Sequence, residues 1–180
     1  MFNFFKKKEP ETKVIDKILM DESGKLKAMF SAWSKDKNIA FIFWFDESLR
    51  LAENYFSSQT TEAITLLTAR EAATPQLKDK TPVFAEHYPL RTKEEELYLK
   101  MNLQSAQVFS SMREPLFQQF GGDRIIQLMQ KMGMKEDELI EHPLISGSIQ
   151  KAQKKIEKKV LIEQTAQSQA DWFEKNFNSL

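Results

Sequence analysis

Imidazole is the one side chain whose unperturbed charge changes near neutral pH, and this chain of 180 residues holds two histidines, His87 and His142. His87 and its neighbour Tyr88 follow residues 81–86, which read as a strand. Asp46, Glu47, Arg70, Glu71 and Arg113 also stand after predicted strands. In open α/β sheets ligands bind outside the carboxyl ends of the strands. Asp46, Arg70, His87, Tyr88 and Arg113 therefore form a candidate cleft, with His87 as its acid or base. The competing reading is the ordinary polar surface of such a fold, and Asp46 stands where a helix needs a cap. On balance no catalytic residue is expected.

Other chemistries have less material. The chain has no cysteine, which removes thiol nucleophiles, disulfides and thiolate metal sites. Glu138 and His142 have the look of metal ligands, but two histidines are thin material for zinc and no metal is expected. A phosphate cradle needs glycines where a strand turns into a helix. The glycines are Gly24, Gly121, Gly122, Gly133 and Gly147, and none directly follows a predicted strand, so no cofactor is expected. With 26 basic and 26 acidic residues the formal net charge is zero, against the basic excess of nucleic-acid binders. The lysines at 151, 154, 155, 158 and 159 are read as a solvated helix face.

The elements that must position these residues are legible in the pattern. The 41% hydrophobic content suffices for one core. After Gly24, the residues Leu26, Met29, Phe30 and Trp33 recur at helical spacing. Residues 39–45 are apolar throughout, as in a strand covered on both faces. A helix over 47–56 capped by Asp46, a strand over 63–68, a helical turn at 70–73 and a strand over 81–86 follow. Thr92-x-x-Glu95 forms a capping box for a helix to about Leu103, and 106–110 is a further strand. Residues 14–20 read either as a short helix or as an extended lead-in. Alternating strands and helices predict an α/β fold with an open, mostly parallel sheet flanked by helices. Strand order is not readable.

No run is long enough to cross a membrane: residues 39–45 would reach only about 10 Å as a helix, where roughly 20 residues are needed. Phe2, Phe4 and Phe5 precede Lys6, Lys7 and Lys8, the reverse of a secretory signal, so cytoplasmic residence is the expectation. The same segment has the character of a weak membrane-surface contact.

Residues 111–157 carry the clearest punctuation. Ser111-x-x-Glu114 with Pro115 opens a helix that Gly121-Gly122 stops. Asp123 is placed to cap a second helix, in which Ile125, Leu128, Met129 and Met132 form one buried stripe ended by Gly133. A third helix starts at Ser146 or Ser148 with Ile149, Ala152 and Ile156 inward. Ser111, Met112, Leu116, Phe120, Gly121, Asp123, Arg124, residues 132–134, 136–138, 140–142 and 152–157 stand at the spacing found in SecA, the ATPase of bacterial preprotein translocation. The stretch resembles the end of that family's second nucleotide-binding lobe, with Leu139 in place of its proline.

The resemblance implies a RecA-like second motor lobe over residues 24–158, preceded by a lead-in at 1–23 and followed by an extension at 159–180. It also implies that Glu141-His142 is a structural turn. Residues 25–56 resemble the helix, loop and first strand of that lobe, and 83–87 its strand leading into the nucleotide-sensing helix. The family's Gly-Arg-Gly turn is absent, with residues 68–73 standing nearest it. Its arginine-finger helix is replaced by residues 97–103. Nothing resembles its Gly-Lys-Thr phosphate loop. The leading expectation is thus a catalytically empty SecA-like module that binds protein, either the translocation machinery or a second copy. The runner-up is a small nucleotide-responsive or enzymatic domain using the strand-end cleft. Nucleic-acid binding rests only on helicase-like ancestry.

Residues 159–163 read as an edge strand or a frayed helix end. Ser168-x-x-Asp171 caps a last helix carrying Trp172, Phe173 and Phe177. An aromatic strip that large must be buried, so the helix either folds back over the sheet or docks on a partner. Folding back is the expectation.

Overall fold

The computed structural model describes residues 12–72, 77–133, 135, 138–141 and 143–178. Phe2, Phe4, Phe5, Lys6, Lys7 and Lys8, considered above for a membrane surface, lie outside the described residues, as does His142.

The strands are β1 (Lys13–Leu19), β2 (Ile39–Phe43), β3 (Thr65–Thr68), β4 (Thr81–Phe84) and β5 (Ser105–Ser111). They form one sheet in the order β1-β5-β4-β2-β3, and every pairing is parallel. The helices are α1 (Glu22–Lys35), α2 (Asp46–Gln59), α3 (Arg91–Lys100), α4 (Pro115–Gln118), α5 (Gly122–Lys131), α6 (Pro143–Glu157) and α7 (Gln169–Asn176). Among the described residues no helix is long and apolar enough to cross a membrane.

The sheet explains the apolar run at β2. All five of its residues are buried, because β2 lies between β4 and β3 and is covered on both faces. Met29, Trp33, Phe41, Phe43 and Phe56 fill the space under α1 and α2, and Ile42, Phe84, Leu97, Tyr98 and Val108 fill that under α3. Residues 13–19, set apart in the sequence as a lead-in, are the edge strand β1, paired with β5 from Lys13↔Ser105 to Leu19↔Ser111. Val14, Asp16, Ile18 and Leu19 are its buried positions.

Several helix starts differ from the local signals. Asp46 is not a cap: it opens α2 itself, and Phe45 holds the N-cap position without a side-chain bond. The Thr92–Glu95 capping box does not form. Thr92 instead gives its amide and hydroxyl to Glu157 on α6, at 2.6 and 2.9 Å, while Glu95 accepts from Arg91 at 2.9 Å. Half of the Ser111 box is present, with the Ser111 amide donating to Glu114 at 2.9 Å. The cap of α5 is Gly121 at φ 86°, a left-handed position, rather than Asp123. Gly122 is needed for a different reason: a Cβ there would lie 2.8 Å from the Met112 carbonyl oxygen.

The expected buried stripe of α5 is also corrected. Ile126 is the large apolar side chain that α5 buries, whereas Ile125, Leu128 and Met132 are 43%, 58% and 72% exposed. Helix α6 starts at Pro143, earlier than Ser146, and buries Ile149, Ala152 and Ile156 as its pattern predicts. Residues 160–168 are neither strand nor helix, and Leu161 and Ile162 are exposed.

The C-terminal segment folds back over the carboxyl ends of the strands. Trp172 and Phe173 are buried with Ile18, Phe45, Leu116 and Ile156, and Phe177 is half-buried against the same cluster. Ser168 accepts from the Asp171 amide at 3.1 Å, as its cap spacing predicts. Backbone and side-chain bonds tie the segment down: the Glu47 amide donates to the Gln167 carbonyl at 3.1 Å, and the Leu116 amide to Gln169 Oε1 at 2.7 Å. With Trp172 fully buried, W172A is expected to cost about 3–5 kcal/mol. Deleting residues 165–180 should lower the melting temperature and cause aggregation, measured by calorimetry and light scattering. An unchanged monomer after deletion contradicts this packing.

Candidate functional site

The helices after β2 and β4 lie on opposite faces, since α2 packs with Phe41 and Phe43 and α3 with Ile42 and Phe84. A crevice is therefore expected between the carboxyl ends of β2 and β4, where open α/β sheets take ligands. Here the crevice is occupied by Glu86. Its Oε1 accepts from the amides of Trp44 and Phe45 at 3.0 and 3.1 Å, and its Oε2 accepts from the Ser48 hydroxyl at 2.6 Å. These are the strand-to-helix amides that an anionic ligand would need. Burial pushes the Glu86 carboxyl up to about 7, with Lys25 opposing and Glu114 adding to the rise.

Lys25, buried on α1, completes this cluster. Its Nζ lies 2.8 Å from both Glu114 Oε1 and Glu22 Oε1. Burial works against its ammonium charge, but Glu114, Glu22 and Glu86 outweigh it and the pKa is raised. Burial holds Glu114 above the usual carboxylate range although Lys25 opposes it.

His87 sits one residue further on, in a second charged cluster. Its Nε2 is 2.6 Å from Asp16 Oδ1 and its Nδ1 is 2.8 Å from Glu94 Oε1, with all three side chains buried. Arg91 reaches the other oxygen of Glu94 at 3.2 Å. Burial disfavours the imidazolium, but Glu94 and Asp16 overcome it and raise its pKa to about 10. At neutral pH His87 is a charged clamp joining β1, the loop after β4 and α3, with no lone pair free to take a proton.

The five sequence candidates thus separate. Arg70 and Tyr88 line one recess of about 280 Å³, together with Trp44, Lys93 and Glu163. Tyr88 donates its phenol proton to Glu163 Oε1, which also accepts from Trp172 Nε1 at 2.8 Å. Burial and the Glu163 carboxylate hold the Tyr88 phenol above its ordinary range. His87 is sealed beneath. Asp46 is half-buried in α2, and Arg113 is exposed in a 2.8 Å ion pair with Asp123. Glu71 turns back to accept from the Thr68 amide and hydroxyl, both at 2.8 Å. Among the described residues no group of three or more histidine or acidic side chains is arranged to hold a metal ion.

Sequence reasoning missed Asp16, Lys25, Glu86, Glu94 and Glu163. The available signal was a charge inside an apolar pattern, as with Asp16 between Ile15 and Ile18 or Glu86 at the end of Val83-Phe84-Ala85. A second recess, apolar and about 270 Å³, is lined by Ile18, Leu116, Phe120, Ile125, Met129 and Ile149, with Leu144 at its edge. Apart from Ile18 it lies within residues 111–157.

SecA of Cytophaga hutchinsonii is 51% identical to this chain over 53 residues, which are 29% of this chain and 5% of that protein. The chain contains a SecA-like region. SecA of Acidithiobacillus ferrooxidans is 53% identical over 49 residues, 27% of this chain and 5% of that protein. SecA 1 of Alkaliphilus metalliredigens is 43% identical over 53 residues, 29% of this chain and 6% of that protein. The matched part spans only about a twentieth of these relatives' own length. No family model matches the chain. The SecA-like spacing of residues 111–157 covers the end of β5 and helices α4 to α6, so the SecA-like region builds one wall of the strand-end cover.

The His87 clamp carries a pH signature. Its folded pKa of about 10 lies above the ordinary 6.5, so its stabilisation is complete below about pH 6.5 and is lost as pH rises through about 10. H87Q, which leaves Asp16 and Glu94 facing each other, should cost about 3–5 kcal/mol at neutral pH. The gap between wild type and H87Q in urea unfolding should narrow as pH rises from about 6.5 to about 10. A constant gap contradicts the charged clamp.

Proposed function

We propose that this chain is a non-catalytic, SecA-like protein-binding module that works with the preprotein translocation machinery in the cytoplasm. The observation that supports the non-catalytic part is the Glu86 carboxylate, bonded to the amides of Trp44 and Phe45 at 3.0 and 3.1 Å in the crevice between β2 and β4. A nucleotide phosphate would have to displace the Glu86 carboxyl group from its hydrogen bonds to Trp44, Phe45 and Ser48. The sequence adds that the arginine-finger helix and the Gly-Arg-Gly turn of the resembling family have no counterpart.

The link to translocation rests on the SecA-like region. Its helices leave Leu128 and Met132, one helical turn apart, at 58% and 72% exposure, and Leu144, which lines the apolar recess, at 74%. Exposed apolar side chains grouped in this way mark surfaces that meet other proteins. The aromatic residues of α7 serve the fold instead, since Trp172 and Phe173 are buried within the chain.

The alternative, a nucleotide-responsive or enzymatic domain, is separated by titration calorimetry with ATP and magnesium. No heat above background is expected, and binding in the micromolar range overturns the non-catalytic reading. For the partner, surface plasmon resonance against a purified SecA translocase should show saturable binding. The double change L128E and M132E should weaken it about tenfold, as loss of an apolar anchor implies. Absence of binding, or binding indifferent to those changes, removes the partner assignment.

A further inference from the structure

We infer that the recess between Trp44, Tyr88 and α3 is a binding site for a small aromatic monoanion, with an aromatic carboxylate as its chemical class. The site does not depend on the protein-binding reading above. It lies outside the carboxyl ends of β2, β3 and β4, and it shares Trp44 and Phe45 with the crevice that Glu86 closes.

The walls are aromatic and apolar. The rings of Trp44 and Tyr88 lie 4.9 Å apart, and Leu97 adds an aliphatic surface beside them. Flat aromatic walls favour a ring that stacks or meets them edge-on. The indole N–H of Trp44 is buried and has no hydrogen-bond partner among the described residues.

The charges select the sign and size of the ligand. Arg70 and Lys93 bring two cations to the recess, and Glu163 brings one carboxylate. Oε1 of Glu163 is already committed to the Tyr88 phenol and the Trp172 indole, while its Oε2 is 3.9 Å from Lys93, a loose pair. Two cations against one anion leave a single positive charge, which suits one carboxylate and repels a polyphosphate through Glu163. A guanidinium beside the opening matches a carboxylate in shape, since both are planar and pair through two parallel hydrogen bonds. At about 280 Å³ the recess falls below the usual range of sites for drug-sized molecules, which limits the ligand to one or two rings.

Nuclear magnetic resonance on the intact chain tests the site. The sequence holds three tryptophans, so three indole N–H signals are expected, and W44F identifies that of Trp44. The probes are benzoate, 1-naphthoate and indole-3-acetate, with neutral 1-naphthamide as the control. At least one of the acids should shift the Trp44 indole signal in a saturable way at millimolar concentration, and 1-naphthamide should not. R70Q, at an exposed position and checked for an unchanged melting temperature, should weaken that binding about tenfold, the loss expected for one charge-assisted hydrogen bond. Failure of all three acids to move the Trp44 signal overturns the proposal. So does equal affinity for the amide, or binding that R70Q and K93Q leave unchanged.

Discussion

The bond between the Glu86 carboxylate and the amides of Trp44 and Phe45 decides more of this structure than any single apolar contact. It ends β2 at Phe43, because the next two amides turn toward the Glu86 carboxylate, two residues past β4, instead of continuing the ladder. It places the start of α2, where Ser48 donates to the second oxygen of the same group. It also occupies the position at which an open sheet would receive a ligand. A buried carboxylate is costly unless its oxygens are satisfied, and the three donors here, with Lys25 nearby, provide that compensation.

Around this point the chain distributes its buried charge in two clusters that join distant segments. Lys25, Glu114 and Glu86 connect α1, the end of β5 and the end of β4. Asp16, His87, Glu94 and Arg91 connect β1, the loop after β4 and α3. Such networks add less to stability than their geometry suggests, because desolvation offsets much of the attraction. What they do impose is register, since a slipped strand or rotated helix would strand an unpaired charge in the interior.

The apolar cover completes the same end of the molecule. Helices α4 to α7 bring Leu116, Ile149, Ile156, Trp172 and Phe173 over Ile18 and Phe45. Gln169 stitches the cover to the sheet by accepting from the Leu116 amide and donating to the His87 carbonyl, at 2.7 and 3.0 Å. The SecA-like region and the C-terminal segment therefore share one core, although only the former has the family's spacing. Among the described residues, an apolar opening within the SecA-like region and an aromatic and cationic one at Tyr88 lie beside this cover.

What the sequence determined by itself was everything that depends on neighbours in the chain. An unbroken apolar run required a two-sided interior strand, and β2 is one. The Ser168 cap and the Gly121 turn followed from short-range geometry that few other residues satisfy. Alternation of strands and helices was enough for a parallel α/β sheet, and the aromatic strip of α7 was enough to require burial. Only the tertiary structure decided the strand order, the role of β1 and the fate of the candidate cleft. The reason is that those depend on pairings between groups far apart in sequence. Glu86 is 42 residues from Trp44, Glu157 is 65 from Thr92, and His87 is 71 from Asp16. At the start of α3 the Glu157 carboxylate takes the Thr92 amide and hydroxyl, in place of the box expected from Thr92 and Glu95. The sealed His87 follows the same logic: its residue type named a proton carrier, but two buried carboxylates turned it into a structural cation.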